Sequence, residues 1–251
     1  MSTGISIERI SFDFYLTRFI NNFFNRINTS MADVYLYGGT ALNRGFFEKK
    51  QRLSIDLDIE VPKKSFSKGI HDIKKALGNA GYTETESIKS KDTFAAYVHE
   101  NGNEIPIRLE VRKQMLGIKK ENINLHSLLE YYGVPTSVAL APSYPFEYLL
   151  AYKMNALAAR MLYKDLYDVY TGLQMLKNKK EFTSYIDRID RLKEVNIFDE
   201  IDDMVNSGIY RHIGESDKTY EGMVQQYYRE DKEVMAKYIA LSIKGLRKHV
   251  L

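Results

Sequence analysis

Strand-like segments cluster in the first half of this chain and helix-like segments in the second, and the change falls at Pro145. Before it, "DVYLY" (33–37), "LSIDLDIEV" (53–61), "TFAAYVHE" (93–100) and "IPIRLEVR" (105–112) read as strands. "NGN" between the last two is a hairpin signal. Helices are expected over residues 8–28, where Ile10, Phe14, Leu16, Ile20, Phe23, Phe24 and Ile27 recur at helical spacing, and over 66–81, which ends in glycines. Residues 113–144 have a weak pattern with three prolines, Pro135, Pro142 and Pro145 closing it. Beyond that, 146–177 reads as one long helix or two in tandem, and 180–205 and 219–249 as further helices. Strands followed by helices predict an α+β protein, with an α/β domain over 1–144 and a helical bundle over 145–251.

The chain has 251 residues, 44% of them apolar, which is enough to bury a core. It has no cysteine, so disulfides and thiolate metal sites are excluded, and a cytoplasmic location is expected. No apolar run reaches the roughly 20 residues of a membrane helix, and the N-terminus lacks the features of a signal peptide. A net charge of +3 permits a nucleic-acid partner without requiring one. The 19 tyrosines and 12 phenylalanines are read mainly as core and half-buried surface.

In "LSIDLDIEV" the alternation puts Ile55, Leu57, Ile59 and Val61 on one face and Asp56, Asp58 and Glu60 on the other. Asp56 and Asp58 lie about 6.6 Å apart along the strand. Their carboxylates can converge further, and like charges near 4 Å repel by roughly 4 kcal/mol at an effective dielectric of 20. That repulsion invites a cation, a proton or solvent. Hard oxygen ligands suit magnesium or manganese shared with substrate phosphates. Alone, such a pair is more simply the acidic outer face of an edge strand. The preceding "YGGT" shifts the balance. Gly38 and Gly39 let the backbone approach a phosphate, and Thr40 is placed to cap a short helix whose amides would face an anion. The segment is neither a Walker A loop nor a Rossmann fingerprint.

A third carboxylate commonly binds metal or deprotonates the acceptor in nucleotidyl transfer. Glu110 in "IRLEVRK" is the leading candidate, though Arg108 and Arg112 on its face could simply neutralise it. Asp92 and Glu104, near turns, are weaker, and Glu60 is an outside candidate. The other informative stretch is "YKMNALAARMLYKDLYDVY" (152–170). On one continuous helix Arg160, Lys164 and Asp168 share a stripe with Lys153, with Asp165 about 120° away. The stripe either presents cations to phosphates or is a solvated face with a Lys164–Asp168 pair.

Together the two stretches resemble the AbiEii/AbiGii-type nucleotidyltransferase toxins, within the DNA polymerase beta-like superfamily. The first motif of that family stands here as Gly38, Gly39 and Thr40, then Arg52, Ser54, Asp56, Leu57 and Asp58. The second stands as Lys153, Ala156, Arg160, Lys164, Asp165 and Asp168. The resemblance implies a nucleotidyltransferase-type mixed sheet followed by helices that contribute to the nucleotide site. It implies transfer of a nucleotide from an NTP to an acceptor with magnesium or manganese, an antitoxin partner, a role in abortive infection, and for some members tRNA as acceptor. Asp56 and Asp58 would hold the metal. Gly38, Gly39, Thr40, Arg52 and Ser54 would bind the nucleotide, with Lys153, Asp165 and Asp168 completing its site. The family offers no firm counterpart of Glu110.

A small-molecule nucleotidyltransferase of the aminoglycoside-modifying type is the alternative, and a nucleotide- or nucleic-acid-binding module without catalysis is another. The five histidines form no spacing suited to zinc or to a serine triad. The paired basics Lys63-Lys64, Lys74-Lys75, Arg112-Lys113 and Lys119-Lys120 fit an RNA-facing side or solvated faces equally well.

Overall fold

A computed structural model describes residues 5–30, 33–100, 106–114, 116–136, 139–213, 223–225 and 228–249. The chain divides into two compact units, Ser6–Pro145 and a second that takes in Phe146 onward.

The first unit opens with α1 (Ile7–Ser30), β1 (Tyr35–Tyr37), α2 (Gly38–Phe46), β2 (Asp56–Val61) and α3 (Phe66–Asn79). Then come β3 (Tyr82–Lys89), β4 (Thr93–Glu100), β5 (Ile107–Lys113), β6 (Glu121–Leu125) and β7 (Ala139–Ser143). β1 to β5 form one mixed sheet in the order β1-β2-β5-β4-β3, in which only β2 and β5 run parallel. β6 and β7 pair separately. The alternation in β2 does what it predicts on the apolar side. Leu57, Ile59 and Val61 are buried with Leu109 and Val111 of β5 and Phe94, Ala96 and Val98 of β4. α3 lies on that face, where a Cβ at Gly69 would collide with Val61. A one-residue slip of β2 would expose three apolar side chains, at about 1.5–3 kcal/mol each, so the register is pinned.

The strand expected over 53–61 begins only at Asp56. β3, for which the sequence reading had no element, pairs with β4 along an edge whose side chains are mostly exposed, so no apolar period announces it. The "NGN" turn lies outside the described residues, but β4 and β5 pair antiparallel as expected.

The second unit contains α4 (Phe146–Arg160), α5 (Tyr163–Met175), α6 (Lys179–Lys193), α7 (Ile197–Asn206) and α8 (Lys232–Leu246). The 146–177 segment is two helices. Met161 takes a left-handed conformation (φ 50°) and Leu162 is extended, which breaks the helix between Arg160 and Tyr163. α4 packs against α5, α6 and α7, and α5 and α7 against α8. At Gly172 a Cβ would collide with Leu150, so the glycine sets how closely α5 approaches α4. α8 starts at Lys232, capped by the Asp231 carboxylate, which accepts from the Glu233 amide at 2.7 Å. The helix expected over 219–249 is shorter at its start: residues 223–225 and 229–231 are not helical, and 219–222 and 226–227 lie outside the described residues. Among the described residues no helix is long and apolar enough to cross a membrane.

Candidate active site

β1 ends at Tyr37 and α2 begins at once, so the two glycines form the first turn of the helix instead of a loop before it. Gly38 has φ 74°, which other residues adopt at a cost of about 1–2 kcal/mol. A Cβ there would overlap the Asp58 carboxylate, with Cγ only 3.0 Å away. Both constraints demand glycine. They also put the start of α2 directly against the acidic strand.

Thr40 does not cap this helix; it is the third residue of α2, and Tyr37 in the capping position contributes no side-chain bond. The Thr40 hydroxyl instead donates to the Asp56 carbonyl at 2.7 Å, tying helix to strand. A second tie runs through Asn43. Its amide donates to the Gly39 carbonyl at 3.0 Å, and its side-chain oxygen accepts from the Arg52 backbone N–H at 2.9 Å. Asn43 was missed from sequence, although a fully buried asparagine inside a short helix is a residue type that competes with helix geometry and needs a reason. Beneath the turn, Arg44 forms a buried ion pair with Asp13 at 2.6 Å and donates to Thr17 at 2.9 Å. Burial pushes the Asp13 carboxyl up, and Arg44 and the Ser127 hydroxyl pull it back.

Asp56 and Asp58 are half-buried on one face of β2. Cross-strand pairing sets Tyr37 of β1 and Glu110 of β5 on either side of Asp58, and Arg108 beside Asp56. The sheet thus brings three predicted residues, Asp56, Asp58 and Glu110, to one face. The Tyr37 phenol records the charge of Asp58 and Glu110. Burial first, then Asp58, push it well above its ordinary value, with Glu110 and Glu60 adding and Arg112 opposing. Glu110 is engaged by Arg108 at 3.0 Å and remains one-third exposed.

Glu60 is no ligand candidate. It is fully buried, accepts from Arg112 Nε at 2.9 Å and from the Tyr144 hydroxyl at 2.5 Å, and the same guanidinium lies 3.8 Å from the centre of the Tyr37 ring. Arg52 is buried with its guanidinium donating to the Leu53 carbonyl at 3.0 Å. Next to it, Ser54 Oγ and Gln51 Nε2 are buried polar atoms without a hydrogen-bond partner among the described residues. Such atoms are costly unless something satisfies them.

In the second unit, Lys153 lies on α4, and Asp165 and Asp168 on α5. The single-helix stripe drawn from sequence does not exist, because the break at Met161 turns α5 back against α4. The pairing is therefore Lys153 with both aspartates, at 2.8 Å to Asp165 and 3.1 Å to Asp168, and all three are buried. Arg160 adds a bond to Asp165 at 2.7 Å from its half-exposed position. Burial opposes the Asp165 charge, but the Lys153 ammonium and the Arg160 guanidinium outweigh it and hold the carboxyl well below the usual range.

MenT4, a nucleotidyltransferase toxin from Mycobacterium tuberculosis, superimposes with a TM-score of 0.66 at 13% identity, over 95% of this chain and 84% of its own. JHP933 from Helicobacter pylori superimposes with a TM-score of 0.57 at 16% identity, over 98% of this chain and 94% of its own. At these identities the likeness is one of fold. No curated protein sequence matches. The sequence matches, over residues 23–227, the family described as nucleotidyl transferase AbiEii toxin of type IV toxin–antitoxin systems. The chain belongs to that family and is a nucleotidyltransferase.

Proposed function

We propose that this enzyme moves a nucleotide from an NTP to an RNA acceptor, with tRNA as the acceptor class, using Asp56 and Asp58 to hold magnesium or manganese. It acts in the cytoplasm as the toxin of a toxin–antitoxin or abortive-infection pair. The observation that carries this reading is the contact of the Gly38 turn with Asp58, which sets the amide-rich start of α2 beside two hard carboxylate ligands.

The donor set fits the metal. Asp56 and Asp58 share a half-buried face, and Glu110 is the next carboxylate on it. Among the described residues no three His, Cys, Asp or Glu side chains are grouped to hold an ion. Two protein carboxylates with substrate oxygens are the ordinary set for magnesium. Bound there, the ion would neutralise triphosphate charge and assist the departure of pyrophosphate. Gly38, Gly39 and Thr40 supply backbone donors to the phosphates. Ser54, with its unpartnered buried hydroxyl, and Arg52 border the same turn. Glu110 takes the proton of the acceptor hydroxyl once Arg108 is drawn away. Within the helical unit, Lys153, Asp165 and Asp168 form a buried cluster held by their mutual ion pairs.

The test is transfer of label from each of the four NTPs to total tRNA, with magnesium, by the purified protein. Labelled RNA is expected. Label on an aminoglycoside and none on RNA would favour the small-molecule reading. No labelling of any acceptor would overturn the activity proposed here.

A further inference from the structure

Away from the acidic face, the first unit carries a cavity of about 360 Å³ whose walls are lysine-rich. It opens where β2 hands over to α3 and where the β3–β4 turn meets the end of β5. Lys63 and Lys64 line it from the 3-10 turn before α3, Lys68 from the first turn of α3, Lys89 and Lys91 from the β3–β4 turn, and Lys113 from β5.

The walls are fixed by the fold. The Ser90 amide donates to the Thr93 carbonyl at 2.8 Å, closing the turn that carries Lys89 and Lys91. The Lys113 amide donates to the Asp92 carbonyl at 3.0 Å, and its ammonium reaches the Asp92 carboxylate at 2.8 Å. Lys68 pairs with Asp72 at 3.3 Å. Lys63, Lys64, Lys89 and Lys91 are exposed and form no ion pair among the described residues. Asp92 senses the group: its bond to Lys113, together with the charges of Lys91 and Lys63, holds its carboxyl below the usual range. Four unpaired ammonium groups around one concavity repel one another, and an anion relieves that repulsion.

The chemistry of the lining selects among anions. Phe66, the one aromatic ring there, is buried, with the Lys113 ammonium 5.3 Å from its centre, so it offers no open face for a base. Lysine ammonium and serine hydroxyl groups are suitable donors to phosphate oxygens. The cavity lies past the end of the strand that carries Asp58, and Lys63 is within about 18 Å of that residue by chain length.

We propose that this lysine cavity is a docking site for the phosphate backbone of the RNA acceptor, separate from the nucleotide site. The inference rests on RNA being the acceptor. It assigns the cavity the job of holding the acceptor strand by charge, with no base preference.

The test is equilibrium binding of total tRNA to the full chain by filter retention, without NTP, over a range of salt. A Lys63→Glu, Lys64→Glu, Lys91→Glu variant is expected to bind about tenfold or more weakly, with a log–log salt slope shallower by about 2 for three lost contacts. A matched variant on the other unit, Lys177→Glu, Lys179→Glu, Lys180→Glu, is expected to bind within about twofold of the unmutated protein. Circular dichroism melts check that both variants fold. Unchanged affinity in the first variant, an equal loss in the second, or no tRNA binding by the unmutated chain would each overturn the proposal. Because the assay contains no NTP, its outcome is independent of whether transfer occurs. Transfer to RNA that persists with unchanged tRNA affinity in the first variant would sink the docking site and leave the activity standing.

Discussion

The acidic face of β2 and the two aspartates of α5 treat negative charge in opposite ways. Asp165 and Asp168 are buried and answered within the chain by Lys153. Asp56 and Asp58 stay half-exposed beside a helix start, with a third carboxylate next to them. Glu60, a neighbour on the same strand face, goes the way of the buried group, because Arg112 and Tyr144 close over it. Position relative to the core thus decides whether a carboxylate is used internally or left facing solvent, where a ligand can reach it.

The largest effect should come from breaking the internal pair. Lys153→Met leaves two buried carboxylates without their ammonium and should lower unfolding free energy by about 3–5 kcal/mol, read as a fall in the urea midpoint. Asp56→Asn should stay within about 0.5 kcal/mol in the same measurement. If both variants melt alike, the contrast fails. Next comes Asp58→Ala, expected to reduce transfer at least about a hundredfold with the urea midpoint unchanged. A fully active variant would remove Asp58 from the metal site. Gly38→Ala should cost about 1–2 kcal/mol from its backbone conformation, and more from collision with Asp58. Thermal melts report that loss, and it should fall on stability and nucleotide affinity together.

The smallest effect concerns pH. The folded-state pKa of Asp165 is held below the unfolded value of about 3.9, so its contribution is complete above about pH 4 and is lost as pH falls through the folded value. The stability deficit of Asp165→Asn should therefore shrink as urea melts are taken from about pH 4 to about pH 2. A deficit constant over that range would mean that packing, and not charge, holds α4 to α5.

Much of this was legible because it is local. The period in "LSIDLDIEV" assigns faces to Asp56 and Asp58 whatever the strand pairs with, and the glycine pair before Thr40 marks a tight approach. Two helices in tandem were one reading of 146–177, but the position of the break at Met161 was not legible. Nothing in "AARMLYKD" is a glycine or proline, and the left-handed residue is a methionine. That one turn replaced the predicted stripe with a Lys153–Asp165–Asp168 cluster. Asn43, Arg44 and Asp13 were missed because their partners lie elsewhere in the sequence, and polar residues at helical spacing read as surface until burial is known. The β3 edge was missed for want of an apolar face.

By itself, the sequence determined an α+β chain, the DxD strand behind a glycine turn, and a second motif in the helical half. Those depend on side-chain period and backbone freedom, which act over a few residues. Only the tertiary structure decided that Glu110 lies across from Asp58, that Glu60 is sealed by Arg112 and Tyr144, and that lysines from three separate segments ring one cavity. Strand order and helix packing set those neighbours, and both are fixed by how the whole unit buries its apolar surface.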